Sequence, residues 1–473
     1  MTVIQLAPHG TYVLTVPDNS DNGLPVIRPD GGKKLSILGQ GAILSRSVVA
    51  GTPAFRIFYI LPGSEVVIDG LTISNGAAFA AAGLFNDNAK VTILNSTLTR
   101  NIARFAGAIQ NTGRFGSATL TVANSTFSDN LVFRDENSFG SRPRGGAIYC
   151  DGEYGMVVLN VTGCTFARNS AGEGGAIYNR GDGGHAALRI TTSTFSENTA
   201  RFFGGAIHNL SDFGDAPLRV ISSTFSLNSA STGGAIYNTG ENGTAAIEIG
   251  NSIFLSGSSG GNLFNRTPLF STFTPVISLG YNVISDDNDG SYGSEGLLHG
   301  PGDQRGTDPL LDPDGLQDNG GPTETIALMP GSPAIDKGKN IDSTAQDQRG
   351  FLRTHDFPTI APALGGDNTD AGAYELHPDA DGDGIPDYLD HCPASDLRAT
   401  VWIGAFNTSV PNSLFNDGCT IADLIAEQAA RSANHGQFVS AVAKLTNDLV
   451  RQGVLSGTQK GILQRSAAKA AIP

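Results

Sequence analysis

The densest chemistry in this chain is the stretch Asp379-Ala380-Asp381-Gly382-Asp383-Gly384-Ile385-Pro386-Asp387-Tyr388-Leu389-Asp390. Carboxylates occupy its positions 1, 3, 5, 9 and 12, and a glycine occupies position 6. Calcium is a hard cation that collects about six to eight oxygens, and a loop turning sharply at that glycine lets alternate side chains and the carbonyl of position 7 converge. Asp379, Asp381, Asp383, Asp387 and Asp390, with the carbonyl of Ile385, are therefore the expected ligands of a Ca2+ ion. The bland alternative is a solvated acidic turn, and the spacing favours the ion.

A second candidate set sits in a block that keeps returning. Gly-Gly-Ala-Ile-Tyr-Asn, or a close variant, has its second glycine at Gly146, Gly175, Gly205 and Gly234. A motif close to Ser-Thr-Phe-x-x-Asn places Phe166, Phe195, Phe225 and Phe254 20 residues further on each time, and the repeat is 29 or 30 residues long. The fifth block position carries Phe85, Tyr149, Tyr178, His208, Tyr237 and Phe264. Alternation puts this column opposite the isoleucines, so it faces outward if they face inward. Outward rings would stack sugar rings; packing beneath the following loops is the competing expectation.

One interval in the array is longer than the others. Nineteen residues separate Phe127 from Gly146 where most repeats have nine or ten, so Leu131 to Arg144 carries an inserted loop. It holds Arg134, Asp135, Glu136, Arg142 and Arg144, and the next loop adds Asp151, Glu153 and Tyr154. Loops tolerate insertion and often carry binding, although a neutral surface insertion is the simpler possibility. The expected ligand-binding set is thus Tyr149, Tyr178, His208 and Tyr237 for aromatic contact, with Arg134, Arg142 and Arg144 for acidic sugar groups.

The elements that position these residues follow from the period. Repeats of this length with glycine punctuation signal a solenoid, in which each repeat buries its apolar side only by stacking on its neighbours. Leu188-Arg189-Ile190-Thr191-Thr192-Ser193-Thr194-Phe195 alternates apolar and polar residues and lacks helical spacing, so each repeat contributes strands. Leucine-rich, propeller and calcium-binding nonapeptide signatures are missing. A mainly β chain forming a parallel β-helix remains, with like residues stacked roughly 4.8 Å apart. Phe127, Phe166, Phe195, Phe225 and Phe254 are expected to form an internal ladder, and Asn130, Asn169, Asn198 and Asn228 a ladder of amides at a turn.

Weaker copies extend the array. Ala82-Gly83-Leu84-Phe85-Asn86 and Gly107-Ala108-Ile109-Gln110-Asn111 precede the clear repeats, and Gly260-Gly261-Asn262-Leu263-Phe264-Asn265 follows them. The expected organisation is a β-helix over 1–300, an irregular Pro/Gly-dense cap over 301–376 covering its open end, the calcium loop over 377–393, and a small helical domain over 394–473. In that domain Thr420 with Asp423, Asn434 with Gln437, and Ser456 with Gln459 have capping-box-like spacing ahead of amphipathic runs, which predicts three short helices.

Composition limits the partners. A formal charge of −15 argues against nucleic acid or an anionic membrane. No run approaches the roughly 20 apolar residues of a membrane span, and Thr2-Val3-Ile4-Gln5-Leu6 alternates like a strand rather than a signal peptide. A monomer is expected. Cys150 and Cys164 fall in one repeat, where pairing and free thiols remain equally open.

The Gly-Gly-Ala-Ile and Phe-x-x-Asn pair resembles the repeats of chlamydial polymorphic outer-membrane proteins and of bacterial right-handed β-helix surface proteins of the pectate-lyase-like superfamily. Asp308-Pro309-Leu310-Leu311, Asp318-Asn319-Gly320-Gly321-Pro322-Thr323, Pro330-Gly331-Ser332-Pro333-Ala334-Ile335-Asp336, Asp347-Gln348-Arg349-Gly350 and Asp370-Ala371-Gly372-Ala373-Tyr374-Glu375 look like a choice-of-anchor Q domain. The acidic loop, continued as His391-Cys392-Pro393, resembles a thrombospondin type 3 repeat.

These resemblances imply a secreted or surface-attached bacterial protein and supply location and fold rather than chemistry. In an exported protein Cys392 and Cys419 are expected to be bridged. Relatives on this fold that are polysaccharide lyases need acidic calcium ligands with an Arg or Lys base, and the hydrolases need paired aspartates. Asn368-Thr369-Asp370 matches one hydrolase segment, but it lies in the cap without the others. The sequence thus favours a calcium-stabilised binder of a glycan, a matrix component or another cell, over a polysaccharide-degrading enzyme and over a structural spacer.

Overall fold

The computed structural model describes residues 2–133, 142–266, 275–286 and 297–471. They fall into two units, Met1–Leu376 and His377–Pro473.

The first unit is a parallel β-solenoid. Among the described residues its strands form parallel sheets of 18, 8 and 5 strands, and each strand pairs with its counterpart one repeat along. A typical coil runs from Ile177–Arg180 in the 8-stranded sheet through His185–Thr191 and Thr194–Ser196 in the largest sheet to Thr199–Phe203 in the smallest. Register follows the sequence repeat: Ile148 pairs with Ile177, Ile177 with Ile207, and Ile207 with Ile236.

Inward positions of the coils form ladders. Phe127, Phe166, Phe195, Phe225 and Phe254 are wholly buried, their rings stacked 4.7–4.9 Å apart and within 11° of parallel. The amides of Asn130, Asn169, Asn198 and Asn228 form the expected second ladder, each Nδ2 donating to the next Oδ1 at 2.9 Å. The same Oδ1 atoms accept the backbone N–H of the preceding asparagine at 3.0–3.1 Å, so a buried turn is fully hydrogen-bonded from coil to coil. Another amide ladder, Asn179, Asn209, Asn238 and Asn265, lines the 8-stranded sheet. Cys150 takes its place one coil earlier, 3.9 Å from Asn111 Nδ2. Cys150 and Cys164 are buried free thiols, and burial pushes both up to about 12.

The Gly-Gly pair has two separate causes. Its first member, at Gly145, Gly174, Gly204 and Gly233, has φ of 62–66°, a left-handed conformation that glycine adopts cheaply. A Cβ on the second member would overlap the carbonyl oxygen of the matching glycine one coil on, as between Gly175 and Gly205. Stacking requires bare backbone there.

The segment 301–376 does more than cover an end. Leu297 and Leu298 are buried at the last coil, and Gln304 continues its pairing with Val283. Beyond that point the chain returns along the flank of the stack. Thr165 Oγ1 donates to Glu324 O, Thr194 Oγ1 donates to Gln348 Oε1, and Thr224 Oγ1 accepts from Ala373 N. The expectation of a terminal cap is corrected accordingly: Thr165, Thr194 and Thr224, projecting from successive coils, provide a polar row on which irregular backbone docks.

The second unit contains the acidic loop, a hairpin of Thr400–Ile403 and Phe406–Pro411, and three helices: α1 (Ile421–Arg431), α2 (His435–Arg451) and α3 (Gly457–Lys469). Thr420 with Asp423 and Ser456 with Gln459 form capping boxes, and Asn434 caps α2 through Gln437 N. The hairpin was not expected. Its Val401, Ile403 and Val410 pack with Ile421, Phe438 and Leu463 in one core. No described helix is long and apolar enough to cross a membrane.

Candidate functional site

The acidic loop is shaped by its own backbone. Asp379 Oδ1 accepts from Gly382 N at 2.8 Å and its Oδ2 from Gly384 N at 2.9 Å, while Asp383 Oδ1 accepts from Ile385 N at 2.7 Å. Gly382 and Gly384 take φ of 77° and 90°, which permits the sharp turn. Oxygens of Asp379, Asp381 and Asp383 come within 4.8 Å of one another. Asp387 and Asp390 are not members of that cluster; Asp387 Oδ1 holds Ala380 N, and Asp390 Oδ1 holds Cys392 N.

Two oxygens in this loop remain unsatisfied. Asp383 Oδ2 and Asp390 Oδ2 are buried without a hydrogen-bond partner among the described residues. Burial, reinforced by Asp381, Asp390 and Asp379, pushes the Asp383 carboxyl above its ordinary range. A disulfide joins Cys392 to Cys419 with Cα atoms 5.0 Å apart. Beside it lies Gly418, where any Cβ would overlap Asp390 Oδ1, and Ser395 N donates to Asp381 Oδ2 at 2.6 Å. Gly418 and Ser395 were not anticipated. They lie outside the dodecapeptide, and only the bridge between the cysteines at its rim hints at their approach.

The second candidate set fails as an exposed track. Tyr149, Tyr178, His208 and Tyr237 lie on the face opposite the isoleucines, yet they are only 6%, 0%, 3% and 4% exposed. A further layer covers them. Phe203 stacks on Tyr237 at 4.5 Å, and the Arg144 guanidinium lies 4.9 Å from the centre of the Tyr178 ring. The rings also meet edge to face, as between Tyr178 and His208 at 4.8 Å. The arginines are likewise committed, since Arg142 and Arg144 both pair with the buried carboxylate of Glu173, at 2.6 and 3.5 Å. Arg134 lies outside the described residues.

Burial decides the electrostatics of this column. It pushes His208 down to about 3, with Arg144 and Arg142 adding to the effect, and pushes Tyr149 up to about 12. Tyr178 Oη and both ring nitrogens of His208 are buried without hydrogen-bond partners among the described residues. The covering residues Arg144, Glu173 and Phe203 each precede a Gly-Gly pair. That fixed position was the available signal for the extra layer.

Asn368-Thr369-Asp370 is also inside the structure. Thr369 and Asp370 are wholly buried in a network with Asp336, Asp347, Arg349, Arg353 and Glu375. Asp370 accepts from Asp336 N and Leu376 N, and Glu375 from Thr354, His355 and Asp370 N–H groups. Burial pushes Glu375 up to about 7. No substrate reaches an aspartate so enclosed.

With the coils in view, their sequence finds a counterpart among known families. Residues 163–180, 192–210 and 222–239 match the Chlamydia polymorphic membrane protein repeat. The matches fall in successive coils and contain the Phe and Asn ladder positions together with the Gly-Gly-Ala-Ile block. No curated protein matches the chain.

Proposed function

We propose that this chain is an exported, surface-attached, calcium-stabilised β-solenoid that acts as an adhesin, binding a glycan, a matrix component or a cell surface. The observation that carries the reading is the polymorphic membrane protein repeat on successive coils of a parallel solenoid. The segment 301–376 fits an anchor domain of the choice-of-anchor Q kind, because the residues carrying that likeness, Asp336, Asp347, Arg349, Asp370 and Glu375, form its buried network. A glycan array with product detection tests the proposal. Retention of intact glycan supports it, whereas shortened products favour a polysaccharide lyase or glycoside hydrolase.

Calcium belongs to the same proposal. The converging Asp379, Asp381 and Asp383 and the orphaned oxygens of Asp383 and Asp390 suit a cation of oxygen chemistry. Asp379, Asp381, Asp383, Asp387, Asp390 and the Ile385 carbonyl would hold it, and the ion would neutralise carboxylates that otherwise repel. Asp381→Ala with Asp383→Ala is expected to lower calcium affinity by orders of magnitude in titration calorimetry. Unchanged uptake by that double variant removes the site.

A further inference from the structure

The solenoid carries exposed aromatic rings at a corner different from the covered column. Between the 8-stranded sheet and the next long strand each coil makes a tight turn: Gly113-Arg114-Phe115-Gly116, Gly152-Glu153-Tyr154-Gly155, Gly181-Asp182-Gly183-Gly184 and Ser211-Asp212-Phe213-Gly214. The turns are in register, since Tyr154 N donates to Asp182 O at 3.1 Å and Gly183 N to Asp212 O at 2.7 Å. Phe115, Tyr154 and Phe213 are 75%, 60% and 73% exposed.

Turn geometry and stacking together hold these rings. Each sits at positive φ, 56°, 52° and 54°, where a residue other than glycine pays about 1–2 kcal/mol. Gly183 shows the cheaper occupant of the same position. Phe115 and Tyr154 are stacked face to face at 5.8 Å and within 8° of parallel, with the Arg114 guanidinium 5.2 Å from the centre of the Phe115 ring, so the two rings hold one another in a fixed pose. Gly183 in turn makes room for Tyr154, because a Cβ there would stand 2.7 Å from its ring.

The neighbouring charges select the ligand. Beside the rings, one per turn, run Arg114 and the half-buried carboxylates Glu153, Asp182 and Asp212; Glu153 pairs with Arg114 at 3.1 Å, and Glu153 and Asp182 pair with Arg180 at 3.1 and 2.6 Å. His185, two residues beyond Gly183, is paired with Asp215 at 2.6 Å. Exposed ring surface flanked by acceptors fits pyranose rings, which offer C–H groups to aromatics and hydroxyl donors to carboxylates. The acidic surroundings disfavour a polyanion. Two coil rises separate Tyr154 from Phe213, roughly 10 Å, which suits an extended polymer rather than a single sugar.

We infer that the turn column Phe115, Tyr154 and Phe213, which has no ring of its own at Gly183, is a contact site for a neutral polysaccharide. This rests on the glycan-binding form of the proposed function and names its site. The test is retardation of the intact chain in native gels cast with soluble glucomannan, hydroxyethylcellulose or polygalacturonate. A neutral polymer is expected to retard the wild type, and Tyr154→Ala with Phe213→Ala to weaken that retardation at least tenfold, with the melting temperature little changed. Tyr154→Phe should retain binding.

If glucomannan and hydroxyethylcellulose both leave the wild type unretarded, the neutral-glycan reading itself is overturned. Retardation that survives the double substitution overturns only this site, and retardation by polygalacturonate alone overturns the choice of a neutral ligand. A dimer in sedimentation that the double substitution abolishes would make the column a self-association surface and likewise overturn the inference.

Discussion

Two aromatic columns climb the same solenoid a few residues apart, and they have opposite fates. Tyr149, Tyr178 and Tyr237 project from the outer face of a sheet and are nevertheless sealed in, whereas Phe115, Tyr154 and Phe213 sit on turns and face water. The first group is roofed by Arg144, Glu173 and Phe203; the second stays largely exposed, although the Arg114 guanidinium lies over Phe115. The difference teaches that alternation along a strand reports which face a side chain takes and nothing about what lies above that face. A ring on an outer face is core whenever a neighbouring segment folds over it.

The largest expected effect breaks the comparison if it is absent. Tyr178→Ala removes a fully buried ring packed between Tyr149, His208 and Arg144, and Phe195→Ala interrupts the inner stack. Each is expected to cost about 3–5 kcal/mol, the usual range for a buried aromatic cut to alanine. Chemical denaturation measures it. Equal costs would show that the outer column is as much core as the inner one; a midpoint unmoved by Tyr178→Ala would restore the exposed track.

The ladders were legible because stacking repeats one residue type at one position, so Phe166, Phe195 and Phe225 betray both the period and the inward face. Helix starts were legible for a similar reason: Thr420 and Ser456 with their partners are local signals. The roof over the column was not, since Arg144, Glu173 and Phe203 share a position but no chemistry. The return of 323–373 along the flank was hidden too, because it depends on hydroxyls of Thr165, Thr194 and Thr224 that read as ordinary strand residues. The convergence of Asp379, Asp381 and Asp383 was legible in their spacing, whereas the approach of Gly418 is a tertiary fact.

A middle-sized effect sharpens the comparison through pH. His208 is neutral in the fold down to about 3, while an unfolded histidine takes a proton near 6.5. The folded value is depressed, so the contribution is complete above about 6.5 and is lost as pH falls toward the folded value. By pH 5 the loss is about 2 kcal/mol, one pH unit being about 1.4 kcal/mol. His208→Phe, which resembles Phe85 and Phe264 at the same position, is expected to flatten the stability profile between pH 6.5 and 4 relative to wild type. Parallel profiles for the two proteins would mean that His208 takes a proton in place, which its enclosure forbids.

The smallest effect has the most telling sign. Phe213 is 73% exposed at a φ of 54°, and glycine at that position relieves about 1–2 kcal/mol of left-handed strain. Against this stands the extra chain entropy of glycine, roughly 0.5–1 kcal/mol. Phe213→Gly is therefore expected to be neutral or stabilising by up to about 1.5 kcal/mol, the reverse of Tyr178→Ala. Scanning calorimetry reads the sign, and a cost comparable to that of Tyr178→Ala would show that Phe213 is packed. If stability holds or rises while polysaccharide retention falls, the ring is kept against the preference of the fold, which is the mark of a residue retained for what it touches outside the molecule.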